Sequence, residues 1–371
     1  MKKLIYLFMA VTLSSCAQKE QINERLLIGT YTAPGKSEGI YVYDFNTATG
    51  GLKQVNVEKN TINPSYLALT ADQKFVYAVN EDGDKSMASA FSFDAATGKL
   101  GFLNKLSTNG ADPCYLIADD TNVITANYTG GSITVFGRNA DGSLSPVKQH
   151  IQHTGSSINK ERQATAHVHM VKFTPDNKYV VVNDLGEDKV FFYAYNKESA
   201  DSVLVLKNTV SVKPGSGPRH IVFGNDGKFA YLIKEMTGEI TVFSYNDGNL
   251  QNIQEATMVD PNFKGSIGGS HILLSADGKF LYASNRGTAN TITTFAIGND
   301  GKLTNKGNIS SGGIGPRAFI IDPSGKWLLA GHQNTNDVII FKRDTGTGLI
   351  TATDKKIELG APVCFVFVPK K

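Results

Sequence analysis

Histidine, arginine and carboxylate side chains recur in this sequence about every fifty residues, beside a proline or its substitute or at the end of an apolar run. One residue after Pro64, Pro113, Val168, Pro218, Gly269, Pro316 and Pro362 stand Ser65, Cys114, His169, Arg219, Ser270, Arg317 and Val363. One further on are Tyr66, Tyr115, Met170, His220, His271, Ala318 and Cys364. The apolar runs that follow end in Asn80-Glu81, Asn127-Tyr128, Asn183-Asp184, Lys234-Glu235, Asn285-Arg286 and His332-Gln333. An imidazole can take or give a proton and a guanidinium can hold an anion. Gathered in one concavity, these types fit a catalytic or anion-binding pocket. Arg219, Arg286 and Arg317 would repel one another there unless carboxylates or an anionic ligand compensated them. Asp184 and Glu235 supply less charge than three arginines call for. The plainer reading suits Asn80, Asn127, Asn183 and Asn285, which serve as turn caps between blades.

His167 and His169 form an H-x-H pair. In a strand, residues i and i+2 face one way, so both could ligate a metal. No third ligand follows at a diagnostic spacing, and Asp184 is a candidate by position alone. No metal and no cofactor are expected. Three cysteines cannot build a disulfide framework, and Cys114 and Cys364 are expected as free thiols. There is no G-x-S-x-G elbow, phosphate-binding glycine loop or zincin motif.

The elements that must position these groups are repeats. NPSYLALTADQKFVYAVNE from Asn63 recurs as DPCYLIADDTNVITANY, HVHMVKFTPDNKYVVVNDLG, GPRHIVFGNDGKFAYLIKE, GSHILLSADGKFLYASNR and GPRAFIIDPSGKWLLAGHQ. A truncated copy begins at Ala361, and the steps between copies are 49, 55, 50, 51, 47 and 46 residues. A third run follows in each period, such as Ser132–Phe136, Glu239–Phe243 or Thr291–Phe295, then Asp-Gly (141–142, 247–248, 300–301) and a weaker fourth run. Asp-Gly between β-rich runs signals a hairpin. Four strands per period predict the blades of an all-β, seven-bladed β-propeller. The lone Trp327 rules out Trp-Asp repeats as the source of the period. The last copy supplies one strand, and Leu26–Tyr31 with Gly39–Tyr43 supply later strands of the same blade. Both termini therefore close the ring.

The N-terminus has its own logic. Lys2 and Lys3, an apolar stretch from Leu4 to Leu13 and the sequence Leu13-Ser14-Ser15-Cys16 look like a bacterial lipoprotein signal. Residues 1–15 are expected to be removed, Cys16 to be lipidated, 16–25 to be a tether and 26–371 to be the propeller. No other apolar run approaches the length of a membrane helix. The expected location is therefore extracytoplasmic, with the lipid as the one membrane contact, or cytoplasmic if the leader is retained. The formal charge of +3 gives no basis for nucleic-acid binding.

Several of these phrases, in this order, carry a resemblance: LLIGTYT, ANYTGGSITVF, NDLGEDKVFFY, GPRHIVF, HILLSADGKFLYASNR and GPRAFIIDPSGKWLLAGHQN. The sequence resembles the seven-bladed propeller lactonases, which include cycloisomerase-type 6-phosphogluconolactonases and fungal carboxymuconate cyclases. The resemblance implies hydrolysis of 6-phosphogluconolactone to 6-phosphogluconate, or muconolactone ring opening and closure. It implies catalytic roles for His169, with His167 as the alternative within the pair, and for Arg219, Glu235 and Arg286. His167, Asp184, His271, Arg317 and Gln333 are expected as substrate contacts. Two departures from the family pattern, Ala166 for a proline and Ser270 for a glutamate, bear on pocket shape. The expected chemistry is water attack on the lactone carbonyl, with His169 or Glu235 taking a proton and arginine holding the oxyanion.

The expected partner is a small, anionic lactone. Phosphogluconolactone is cytoplasmic, whereas the leader points outward, so another lactone or sugar acid is an open alternative. A non-catalytic surface propeller that binds a glycan or a protein is another. Metal-dependent gluconolactonases resemble six-bladed propellers instead.

Overall fold

The computed structural model describes residues 24–32 and 35–369. The leader, Cys16 and most of the expected tether lie outside them. The described residues form seven four-stranded antiparallel sheets arranged as a propeller. Blade 1 contains the strands Leu67–Leu69, Phe75–Asn80, Met87–Asp94 and Lys99–Ser107. Blades 2 to 6 repeat this order, their inner strands being Pro113–Ala118, Val168–Phe173, Pro218–Phe223, Gly269–Leu274 and Pro316–Ile321. Blade 7 joins the C-terminal strand Pro362–Pro369 to Glu24–Thr30, Ile40–Asn46 and Gly51–Glu58. Glu24 pairs with Pro369 and Ile28 with Phe365, so the two ends of the chain close the ring by backbone hydrogen bonds.

Burial explains the strand patterns. Second strands such as Tyr179–Asp184 are buried along their whole length, because blades pack on both faces of each sheet. Their sequences are therefore continuous apolar runs. Outermost strands such as Asn249–Thr257 alternate between exposed and partly buried positions. The hairpin glycines have a second use. Gly142, Gly248 and Gly301 adopt φ of 85°, 78° and 78°, where a Cβ is disfavoured. Each also lies against an aromatic ring of the preceding blade: Phe75, Tyr179 and Phe229 respectively. Gly348 meets Phe280 and Gly50 meets Trp327 in the same way.

The strand-end asparagines brace neighbouring segments. Asn183 donates to the Arg219 carbonyl at 3.1 Å, and Asn285 accepts from the Gly268 amide at 2.9 Å. Asn80 donates to the Ile62 carbonyl, and Asn127 to Ser132 and Thr134. Cys114 and Cys364 are free and buried.

Candidate active site

A β-bulge at the top of the inner strands turns the recurring polar residues toward the mouth. In blade 3, Val168 pairs with Asp184 and Met170 with Asn183, leaving His169 as the extra residue. Arg219 is extra between Pro218 and His220, Arg317 between Pro316 and Ala318, and Cys114 between Pro113 and Tyr115. Blade 5 has a similar shift at Ser270-His271. A bulge re-aims a side chain that regular pleating would send into the sheet packing.

Glu235 is the centre of the resulting cluster. Its Oε2 accepts from Arg219 Nε at 2.9 Å and lies 2.9 Å from Arg286 Nη2. Its Oε1 accepts from Arg162 Nη2 at 2.7 Å. His169 Nε2 stands 3.9 Å from Oε2. Burial alone would raise the Glu235 carboxyl, but Arg286 and Arg219 hold it far below the usual carboxylate range. Burial, with the Arg219 charge, pushes His169 well below 6.5, so the imidazole is neutral at pH 7. Burial and the Arg286 charge push Arg219 down to about 9. Arg219 also donates to the Ser270 carbonyl at 2.6 Å and is 2% exposed. The Arg286 side chain is 20% exposed and presents the more open guanidinium.

A second group lies on the blade 7 and blade 1 side. Glu81 accepts from the Tyr31 hydroxyl at 2.9 Å and also bonds Ser65. The Arg317 guanidinium sits 5.3 Å from the Tyr31 ring centroid. Burial raises the Glu81 carboxyl, and Arg317 opposes the shift. Gln333 lines a cleft of about 460 Å³ with Tyr31, Lys36, Asn63 and Glu81.

Residues 25–367 match a family described as the seven-bladed β-propeller lactonases. The chain belongs to this family. It is 34% identical over 346 residues to 6-phosphogluconolactonase of Bacillus subtilis, covering 92% of this chain and 97% of that one. It is also 34% identical to 6-phosphogluconolactonase of Formosa agariphila, over 87% of this chain and 93% of that one. A crystal structure from Bacteroides fragilis is 45% identical, with a TM-score of 0.89 over 94% of this chain and 98% of that one. The periplasmic gluconolactonase of Pseudomonas aeruginosa is 36% identical, with a TM-score of 0.90 over 94% of this chain and all of that one.

In this chain, His169, Arg219 and Arg286 come together around the Glu235 carboxylate, and Arg317 stands at the same mouth. His167 is also there. Its ring stacks on Tyr128 at 4.7 Å, while His169 meets Tyr128 edge-on at 5.2 Å. Both imidazoles therefore pack against the Tyr128 ring, one on its face and one edge-on. Asp184 is elsewhere. It is fully buried, bonding His153 Nδ1 at 2.7 Å and accepting from the amides of His167, Gly186 and Glu187. It fixes the backbone of His167 instead of facing the mouth. His271 lies a layer deeper, lining a central cavity of about 220 Å³ with His220 and Lys172. Among the described residues, His153, Asp184 and Glu187 gather ligand atoms within 4.8 Å of one another. Their side chains already bond one another, Tyr193, the Gly155 amide and Lys189.

Arg162, which bonds Tyr128 and Glu235, is the site residue that the repeat does not reveal. Arg162 lies on the connection between blades 2 and 3, outside the repeated phrase. The 55-residue step, the longest of the series, was its signal.

Proposed function

We propose that this chain hydrolyses a sugar-acid lactone of the 6-phosphogluconolactone type to the open acid. The observation that carries this reading is the Glu235 carboxylate, held by Arg162, Arg219 and Arg286 beside the neutral His169. Guanidinium groups occupy three of the roughly four acceptor directions of Glu235, which makes it a poor base. His169, neutral and within reach of the same space, takes a proton from water as the water oxygen adds to the lactone carbonyl carbon. Arg286 donates to the oxyanion that forms. Collapse of the adduct breaks the bond to the ring oxygen, which recovers the proton from the imidazolium. Glu235 stabilises that imidazolium and holds the arginines in place. His167, Arg317 and Gln333 are proposed to contact the rest of the substrate.

The names of the relatives support both a phosphorylated substrate and plain gluconolactone. A panel of phosphorylated and plain aldonolactones, with initial rates measured above spontaneous hydrolysis, tests the reading. Turnover of at least one, abolished in His169→Ala, is expected. No rate above the blank for any lactone discards it and favours a binding propeller.

The leader supports an extracytoplasmic protein tethered through Cys16. Metabolic labelling with a radioactive fatty acid is expected to mark the native protein and not Cys16→Ala. Equal labelling of both, or of neither, argues against the tether.

A further inference from the structure

The mouth carries more positive charge than it balances. Arg162, Arg219, Arg286 and Arg317 face Glu81 and Glu235, while His169 is neutral, which leaves two positive charges over. Three of the four guanidiniums have little freedom. Arg219 is buried against Glu235 and Ser270, Arg286 leans on Glu235, and Arg317 is held over Tyr31 near Glu81. Arg162 differs. Its side chain is 46% exposed. Its Nη2 bonds Glu235 at 2.7 Å and the Tyr128 hydroxyl at 3.2 Å, and among the described residues the side chain makes no other hydrogen bond. Two faces of its donor fork thus remain open to the mouth.

The backbone beneath Arg162 is held firmly. Asn159 Oδ1 accepts from the Arg162 amide at 3.1 Å. The neighbouring Gln163 is fully buried and bonds Asp188 at 2.7 Å and the Leu185 carbonyl at 2.8 Å. Ser157 bonds the same Asp188 carboxylate at 2.6 Å. Asp188 also accepts from the amides of Gly215, Ser216 and Gly217, the segment that leads into Arg219. One carboxylate therefore sets the position of Arg162 relative to Arg219. A fixed base under an exposed, bidentate cation is a pre-organised anion clamp.

We propose that Arg162 is the specificity-determining contact of this site, exchanging its bonds to Glu235 and Tyr128 for an anionic group, a phosphate or a second carboxylate, that the substrate carries away from its lactone carbonyl. This deepens the lactonase reading and rests on it. The buried arginines and His169 serve the reacting carbon on the floor of the mouth. Arg162 stands further out, where the far end of a ring seated on that floor emerges.

Gluconate and 6-phosphogluconate share a carboxylate and differ by one phosphate, so they isolate this contact. Their affinities for the full chain, for Arg162→Gln and for Arg162→Lys can be measured by calorimetry at pH 8. The wild type is expected to bind the phosphorylated acid more tightly. Arg162→Gln weakens that ligand by about 10- to 100-fold and gluconate by less than about 3-fold. Arg162→Lys falls between, because a point charge replaces a fork. Equal weakening of both ligands, no weakening, no preference in the wild type, or no binding of either overturns the proposal. Discrimination lost in Arg162→Gln, in a protein that hydrolyses no lactone, would discard the hydrolase reading and leave the clamp standing.

Discussion

Glu235 decides the energetics of the site because it is one carboxylate among three guanidiniums. Burying an ion is costly, and removing one partner of a buried pair costs about 3–5 kcal/mol because the other is left uncompensated. Glu235→Gln should therefore lower the unfolding temperature by several degrees. An anion arriving in the mouth would replace the missing charge. Added 6-phosphogluconate should consequently raise the melting temperature of Glu235→Gln more than that of the wild type. An equal or smaller rise would mean that Glu235 does not balance the arginines. In the proposed mechanism Arg286 acts at a different step, its partly open guanidinium donating to the oxyanion. Arg286→Ala should cost about 10²-fold or more in kcat on the best lactone, and unchanged turnover would remove it from the oxyanion role. The repeat placed His169, Arg219, Glu235 and Arg286 at comparable strand ends among many other polar residues, and the family resemblance singled these four out. Asp184 was indistinguishable from them in the sequence. Its carboxylate points back to His153 and the chain amides, a choice made by the loop from blade 2 and invisible in the spacing.

The element that converts a strand end into a site is the bulge. Plain alternation would give every inner-strand residue a cross-strand partner, and the register shift between Val168 and Met170 instead leaves His169 as an extra residue. The sequence carries no local mark of a bulge beyond the recurring proline or glycine, which is why blade geometry was legible and side-chain direction was not. The ring closure was legible, down to the strand that ends the chain. Removing residues 362–371 takes away the buried Val363, Phe365 and Val368, each worth about 1.5–3 kcal/mol. It also strips the hydrogen bonds along Glu24–Thr30. This approaches the whole stability of an ordinary domain, so the truncated chain should be recovered as aggregate or with a melting temperature lower by more than about 10 °C. A fully soluble truncation with an unchanged transition would contradict the closure. The hairpin glycines make a smaller test of the same packing. A Cβ at Gly301 would lie 2.3 Å from the Phe229 ring, at φ 78°. Gly301→Ala should cost about 2–3 kcal/mol, from the left-handed backbone and from overpacking. Urea unfolding measures it, and a loss below about 0.5 kcal/mol would mean the hairpin moves aside.

Across the whole molecule, near-neutral net charge conceals a column of neutral histidines through the centre of the ring. His169, His220 and His271 meet edge to face at 5.3 and 5.5 Å, and His271 meets Phe319 at 5.0 Å. Burial first, and then the Arg219 charge, keeps all three below the ordinary histidine value, with His271 pushed down to about 3. The unfolded chain has no such restraint and takes up these protons near pH 6.5. Stability from the column is thus complete above pH 6.5 and falls as the pH drops toward the folded values. Each histidine contributes a slope of up to about 1.4 kcal/mol per pH unit. Glu235 adds to the same trend only below about pH 4.5, where its unfolded counterpart begins to protonate. Between pH 7.5 and 5 the melting temperature should therefore fall, and the histidines should account for the drop before any carboxylate does. His271→Phe keeps a ring of similar size against Phe319 and removes one titrating group, so its drop over the same range should be smaller than that of the wild type. A wild-type melting temperature that stays flat from pH 7.5 to 5 would mean that the column accepts protons in the folded state as readily as in the unfolded chain, so that burial does not hold these imidazoles neutral.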